Sequence, residues 1–129
     1  VPQYQNKKYK IGKIGESAAL RYLKNNRFTI LAHHYTCRWG EIDIVAKKEN
    51  IIYFIEVKTR TNIYYGQPYE AIDFRKLKVL KRSINYYLTE KRIKDTKLAL
   101  AVISIILNNR HQVDKIHFYT DVHLLYNLN

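Results

Sequence analysis

Hydrophobic and polar positions along this chain follow two periods, and the switches between them mark out its elements. From Gly15 to Asn25 the apolar residues Ala18, Ala19, Tyr22 and Leu23 recur at helical spacing, and Asn25-Asn26 offers a stop. Phe28 to Leu31 reads as a short strand. Glu41 to Lys47 and Ile51 to Thr59 are rich in Ile, Val and aromatics, and the polar Lys47-Lys48-Glu49-Asn50 separates them, so a β-hairpin is expected. Thr61 to Tyr69 is turn-prone, with Gly66 and Pro68 as breakers, which predicts a loop after the second hairpin strand. A second helix is expected over Phe74 to Lys91, capped by Asp73. Its Leu77, Leu80, Ile84 and Leu88 form one stripe, and Arg75, Lys78 and Arg82 fall opposite. Leu98 to Leu107 is apolar on both alternating faces, as a central strand covered on both sides would be; Asn108-Asn109 then offers a turn and Val113 to Tyr119 a last strand. The order αβββαββ predicts an α/β fold, a mixed β-sheet flanked by helices, in one domain spanning residues 1–129.

Charge changes the picture. The formal net charge is +12 and the pI about 9.8, so a polyanionic partner is expected, nucleic acid or an anionic membrane face. Asp73 to Lys94 holds eight Lys or Arg against two acids, half of the whole excess. Lys7, Lys8, Lys10 and Lys13 suggest a basic arm over residues 1–10 and just beyond, touching phosphates or simply solvated. The longest uncharged apolar run, Leu98 to Leu107, falls well short of the roughly 20 residues that cross a bilayer. No signal peptide opens the chain and the single Cys37 has no disulfide partner, so a cytoplasmic location without a membrane partner is expected. Met is absent, so the numbering is expected to begin inside the natural product or after processing.

The hairpin concentrates candidate chemistry. Alternate side chains of a strand share a face, so Glu41, Asp43 and Val45 are expected on one side and Ile42, Ile44 and Ala46 on the other, while Ile52, Phe54, Glu56 and Lys58 point together. With Glu49-Asn50 as a two-residue turn, Lys48 pairs with Ile51. Counting back sets Asp43 opposite Glu56 and Glu41 opposite Lys58. Two converging carboxylates repel unless a cation lies between them, and hard cations such as Mg²⁺ take oxygen donors. Lys58 is then placed to stabilise an attacking hydroxide or the charge growing on a phosphate. Glu16, with Ala19, Leu20 and Leu23 on its side of the first helix, is expected to face the sheet and to need a partner. The bland alternative for Glu56 and Lys58 is a solvated surface pair. His33, His34 and Cys37 offer a zinc cluster that lacks a fourth ligand; the alternative is a strand end with exposed imidazoles. Tyr53, Tyr64, Tyr65, Tyr69, Tyr86 and Tyr87 lie among basic residues and could stack on unpaired bases or pack half-buried.

Gly15-Glu16, Ala19, Tyr22-Leu23, Gly40-Glu41-Ile42-Asp43-Ile44-Val45-Ala46, Phe54-Ile55-Glu56-Val57-Lys58-Thr59-Arg60, Tyr65-Gly66 and Lys76 together resemble the YraN family of predicted endonucleases, over about two thirds of the chain. That family resembles a branch of the PD-(D/E)XK superfamily and is similar in layout to archaeal Holliday junction resolvases. The resemblance implies a restriction endonuclease-like core, a single nuclease-like domain and Mg²⁺-dependent phosphodiester hydrolysis, with Mn²⁺ substituting. It implies catalytic roles for Glu16, Asp43, Glu56 and Lys58. Asp43, Glu56 and the backbone carbonyl of Val57 would hold the metal, with Glu16 contributing to a second metal or orienting a water. Glu41 matches the motif without an assigned catalytic role. Ile42 stands where the superfamily motif has its proline, and Lys97, Leu98 and Ala99 stand where relatives often carry Arg-x-Asp.

The leading expectation is therefore a metal-dependent endonuclease acting on DNA rather than RNA, including branched or flapped DNA, with Arg60, Arg75, Lys76 and Arg82 gripping phosphates. A homodimer would suit symmetric junction cleavage. The chief alternative is a non-catalytic nucleic-acid-binding module with the same fold, and a third is an adaptor that recruits protein partners through the Tyr-rich loop.

Overall fold

A computed structural model describes residues 3–61 and 74–121. The order is α1 (Gln3–Asn25), β1 (Thr29–Cys37), β2 (Gly40–Lys48), β3 (Ile51–Arg60), α2 (Phe74–Glu90), β4 (Lys97–Leu107) and β5 (Val113–Asp121). It is the expected αβββαββ mixed α/β fold. The five strands among the described residues lie in the order β1-β2-β3-β4-β5, antiparallel throughout except that β3 and β4 run parallel. A parallel pair needs a crossover, which contains α2.

Among the described residues, each face of the sheet carries one helix. Ala18, Ala19 and Leu23 of α1 pack on Ile44, Ala46, Ile55, Ala101, Ile103, Ile105 and Leu107. Ile84 and Tyr87 of α2 pack on Ile42, Val45, Ile52, Phe54 and Leu100. β4 contributes to both clusters and is buried along nearly its whole length, as its unbroken apolar run requires. No helix among the described residues is long and apolar enough to cross a membrane.

Two boundaries differ from the sequence expectation by more than two residues. α1 begins at Gln3 instead of Gly15, so the basic segment expected as an arm has a helical backbone. Its lysines are adequate helix formers even without an apolar stripe. β1 continues to Cys37 instead of stopping at Leu31, because its pairing with β2 extends from Thr29↔Lys47 to Cys37↔Gly40. The expected loop beyond Thr61, the expected cap Asp73 and the side chains of Lys7, Lys8 and Arg75 lie outside what is described.

The β2–β3 turn has the expected register. Glu49 and Asn50 sit at φ 50° and 66°, both left-handed, as the two central residues of a type I′ hairpin turn must be. Lys48 pairs with Ile51, and the ladder runs on to Ile44↔Ile55, where it stops. β3 stays paired with β4 through Arg60, while β2 stays paired with β1 through Gly40. The sheet therefore forks after Ile44 and Ile55. The expected oppositions of Asp43 to Glu56 and of Glu41 to Lys58 both lie past the end of the ladder and are not formed as ladder pairs; Glu41 pairs with Thr36 of β1.

The fork also upsets the alternation of faces. Ile42 was expected on the side of Ile44, yet it packs beneath α2 with Val45, while Ile44 packs on the α1 side. A two-stranded ribbon twists more than a wider sheet, and once β2 leaves β3 its end rotates Ile42 under α2. Asp43 is at the changeover.

Candidate active site

Asp43 is half-buried in the mouth of the fork. Its Oδ2 accepts a hydrogen bond of 2.8 Å from the backbone N–H of Val57, the first odd-numbered residue of β3 beyond the ladder. A side chain thus occupies the place a backbone carbonyl would hold in a continuous sheet. Asp43 lines two cavities. One, of about 450 Å³, it shares with Glu41, Glu56 and Lys76 on the α2 side. The other, of about 390 Å³, it shares with Lys13, Glu16, His34 and Thr59 on the α1 side.

Burial lifts the Asp43 carboxyl above its ordinary range; the Val57 N–H opposes this, and the charges of Glu56, Glu41 and Glu16 add to it. All the acids singled out from the sequence therefore converge on Asp43, although Glu56 and Glu16 approach it from opposite faces of the sheet.

Glu56 follows Ile52 and Phe54 on the α2 face of β3, and its Oε1 carries two ammonium groups. Lys76 Nζ lies 2.6 Å away and Lys58 Nζ 3.3 Å away. The closer lysine holds the anion more firmly. Burial and the neighbouring Lys76 lower the Lys58 ammonium, against the pull of Glu56. Lys76 is raised above the ordinary lysine value: burial works against its charge, and the hydrogen bond to Glu56 prevails. The sequence placed Lys76 among phosphate-gripping residues; in the fold its head lies within the acidic site. Only its position at the start of α2, the crossover element after β3, hints at this.

Glu16 faces the sheet from α1 with its side chain 18% exposed. Gly15 lets it come so close: a Cβ at that position would fall 1.7 Å from Thr59 Oγ1 and 2.7 Å from Thr59 Cβ. Its partners are histidines, His34 Nε2 at 2.7 Å from Oε1 and His33 Nε2 at 3.7 Å from Oε2. His33 and His34 are exposed, as the alternative reading of the His33, His34 and Cys37 cluster has it, and their imidazoles group with Glu16, not with Cys37. Adjacent strand residues ordinarily point to opposite faces, so nothing in the sequence flags that both imidazoles reach one carboxylate.

The expected phosphate-gripping residues are dispersed. Arg60 ends β3, and the Arg82 guanidinium lies 5.0 Å from the ring centre of Trp39, which Arg38 also approaches at 4.7 Å. Lys78 and Arg82 are exposed on the outer side of α2, as expected. Of the tyrosines considered for base stacking, Tyr87 is buried against Phe54 and Tyr35, and Tyr53 packs on Phe28 and Phe118. Tyr86 is exposed, and Tyr64, Tyr65 and Tyr69 lie outside the described residues.

Residues 15–114, from Gly15 beside Thr59 to the start of β5, match the sequence model described as "Uncharacterised protein family UPF0102". A UPF0102 protein of Clostridium botulinum strain 657 is 44% identical over 99 residues, covering 76% of this chain and 80% of that protein. Another, from Dictyoglomus turgidum, is 36% identical over 103 residues, covering 80% of this chain and 87% of that one. The matched span takes in Glu16, Asp43, Glu56, Lys58 and Lys76, and on this ground the chain belongs to the UPF0102 family, the YraN family that its motifs resemble.

Proposed function

We propose that this chain is a metal-dependent endonuclease that hydrolyses phosphodiester bonds in DNA, with branched and flapped DNA the substrates to try first. The observation behind this is the seat of Asp43, a half-buried carboxylate at an open fork of the sheet, sharing one cavity with Glu56 and aligned by the Val57 N–H. Negative charge gathered there on Asp43, Glu56, Glu41 and Glu16 is what a hard divalent cation relieves, and the donors are oxygens. Asp43, Glu56 and the Val57 carbonyl would hold Mg²⁺, or Mn²⁺ in its place. When bound, the cation supplies Lewis-acid polarisation of the phosphate.

The remaining roles belong to the chain's own groups. Lys58, with its proton held less firmly than an ordinary lysine's, positions the attacking water and steadies charge on the phosphate. Glu16 borders the second cavity opposite Asp43 and orients water from the α1 side. Arg60, Arg75, Lys76 and Arg82 contact phosphates, and such contacts give salt-sensitive, largely sequence-independent affinity.

The test is incubation of duplex, flap and four-way junction DNAs with Mn²⁺ and wild-type, Asp43→Ala, Glu56→Ala or Lys58→Ala protein. Wild type should nick at least one substrate, and each variant should lose cleavage while largely keeping DNA affinity. Cleavage by Lys58→Ala at the wild-type rate, or none by wild type, sinks the proposal.

One observation favours a second reading, a non-catalytic nucleic-acid-binding module: two lysines already neutralise Glu56. In that case DNA binds in a salt-dependent way, no product forms, and Mg²⁺ leaves the protein's stability unchanged.

A further inference from the structure

We propose that Glu16, His33 and His34 form a binding site for a borderline divalent cation of the Zn²⁺ or Co²⁺ class, distinct in donor chemistry from the all-oxygen Asp43–Glu56 pair. One ligand atom from each of the three side chains lies within 4.8 Å of the others. A four-coordinate ion of this class holds its donors at about 2.0–2.2 Å, which puts neighbouring donors roughly 3.3–3.6 Å apart. The two spacings to Glu16, 2.7 Å for His34 and 3.7 Å for His33, lie on either side of that separation. Small side-chain rotations suffice to reach it.

The backbone makes the cluster possible. Consecutive strand residues project to opposite faces, yet the two imidazole rings lie 4.7 Å apart and share one carboxylate. His34 adopts φ 53°, in the left-handed region that histidine occupies only at a cost. That conformation brings His34 to the same side as His33.

Two imidazole nitrogens and one carboxylate suit transition ions, whereas Mg²⁺ prefers oxygen alone. The imidazoles are 40% and 50% exposed, so an ion has an entry and waters can complete its coordination, while Glu16 anchors the site from α1. A carboxylate only accepts, so His34 Nε2 carries the proton of its bond to Glu16. For the ion to take that nitrogen, a neutral imidazole moves the proton to Nδ1 by exchange with solvent, and an imidazolium releases one proton and keeps the other on Nδ1. The site shares Glu16 alone with the proposed catalytic set and stands whether or not the chain cleaves DNA.

Calorimetric titration of the full chain with ZnCl₂, together with Cu²⁺ electron paramagnetic resonance, tests this. Wild type should bind one Zn²⁺, and its Cu²⁺ spectrum should carry splitting from two imidazole nitrogens. Glu16→Gln, His33→Asn and His34→Asn should each bind at least about tenfold more weakly, and the two histidine variants should keep splitting from one nitrogen. Asn tolerates the left-handed backbone at position 34, so that variant keeps the strand. Glu56→Gln should bind Zn²⁺ like wild type. Absence of a stoichiometric Zn²⁺ site in wild type, or wild-type affinity in His34→Asn, overturns the proposal. Glu56→Gln protein that still cleaves DNA would overturn the nuclease instead and leave this site standing.

Discussion

The Asp43 carboxylate caps the Val57 backbone N–H at 2.8 Å, with Asp43 one residue and Val57 two residues past the last backbone pair that joins β2 to β3. The bond aligns an acid that burial and three neighbouring carboxylates make costly to ionise. A protein that keeps such an acid holds charge there at the expense of stability, a pattern common at functional sites.

Asp43→Asn should therefore raise the melting temperature by a few degrees in EDTA at pH 7, since Asn Oδ1 can still accept from Val57 without the buried charge. The sign follows from the raised carboxyl. Below the ordinary carboxylate range both folded and unfolded chains are protonated and there is no penalty; it grows as pH climbs through the unfolded-state value and is complete above the raised folded-state one. The gain should shrink in melts below pH 4. Mg²⁺ or Mn²⁺ at a hundredfold excess over its Kd should stabilise wild type by about 2.7 kcal/mol, roughly 10 °C, and Asp43→Asn far less.

Lys76 competes with any cation for Glu56. Partly exposed ion pairs contribute about 0.2–1 kcal/mol, so Lys76→Ala should lower the Mn²⁺ concentration needed for half-maximal stabilisation by a factor of roughly 1.4 to 5. Lys58 should then lose a neighbour that lowers its ammonium, and its resonance should titrate at higher pH by NMR. An unchanged Mn²⁺ midpoint would place the ion away from Glu56.

Most of the fold can be read from the residues because it depends on local pattern. Apolar stripes mark α2 and β4, and Glu49-Asn50 sets every pair from Lys48↔Ile51 to Ile44↔Ile55. Counting pairs cannot reveal where a ladder ends. The fork depends on α2 covering Ile42 and on the twist of the freed ribbon, both tertiary effects, so Asp43 and Glu56 were legible as neighbours while the Val57 contact was not. The early start of α1 escaped because an apolar period detects only a buried face. Pairing of His33 with His34 escaped because it needs a left-handed residue inside a strand.

Glu49 holds a left-handed conformation that suits Asn or Gly far better. Replacing Glu49-Asn50 by Asn-Gly, the favoured type I′ pair, should stabilise the chain by about 1 kcal/mol and raise its melting temperature by roughly 4 °C. DNA cleavage should be unaffected, because the turn lies at the far end of the hairpin from the fork. A drop in stability would mean that the turn is not type I′.

Gly15→Ala offers the sharpest check on how Glu16 reaches the site. The added methyl would overlap Oγ1, Cγ2 and Cβ of Thr59, so rotating the threonine cannot clear it and α1 must lift from β3. Overpacking of this kind costs about 1–3 kcal/mol, and the lift carries Glu16 away from Asp43. Thr59→Ala removes Oγ1 and Cγ2 and leaves the overlap with Cβ, so it should restore part of the stability lost to Gly15→Ala; Thr59→Gly removes all three overlapping atoms and should restore more. Urea melts of the three single and two double variants read this directly. Additive losses in the Gly15→Ala, Thr59→Gly protein would show that helix and strand do not meet there.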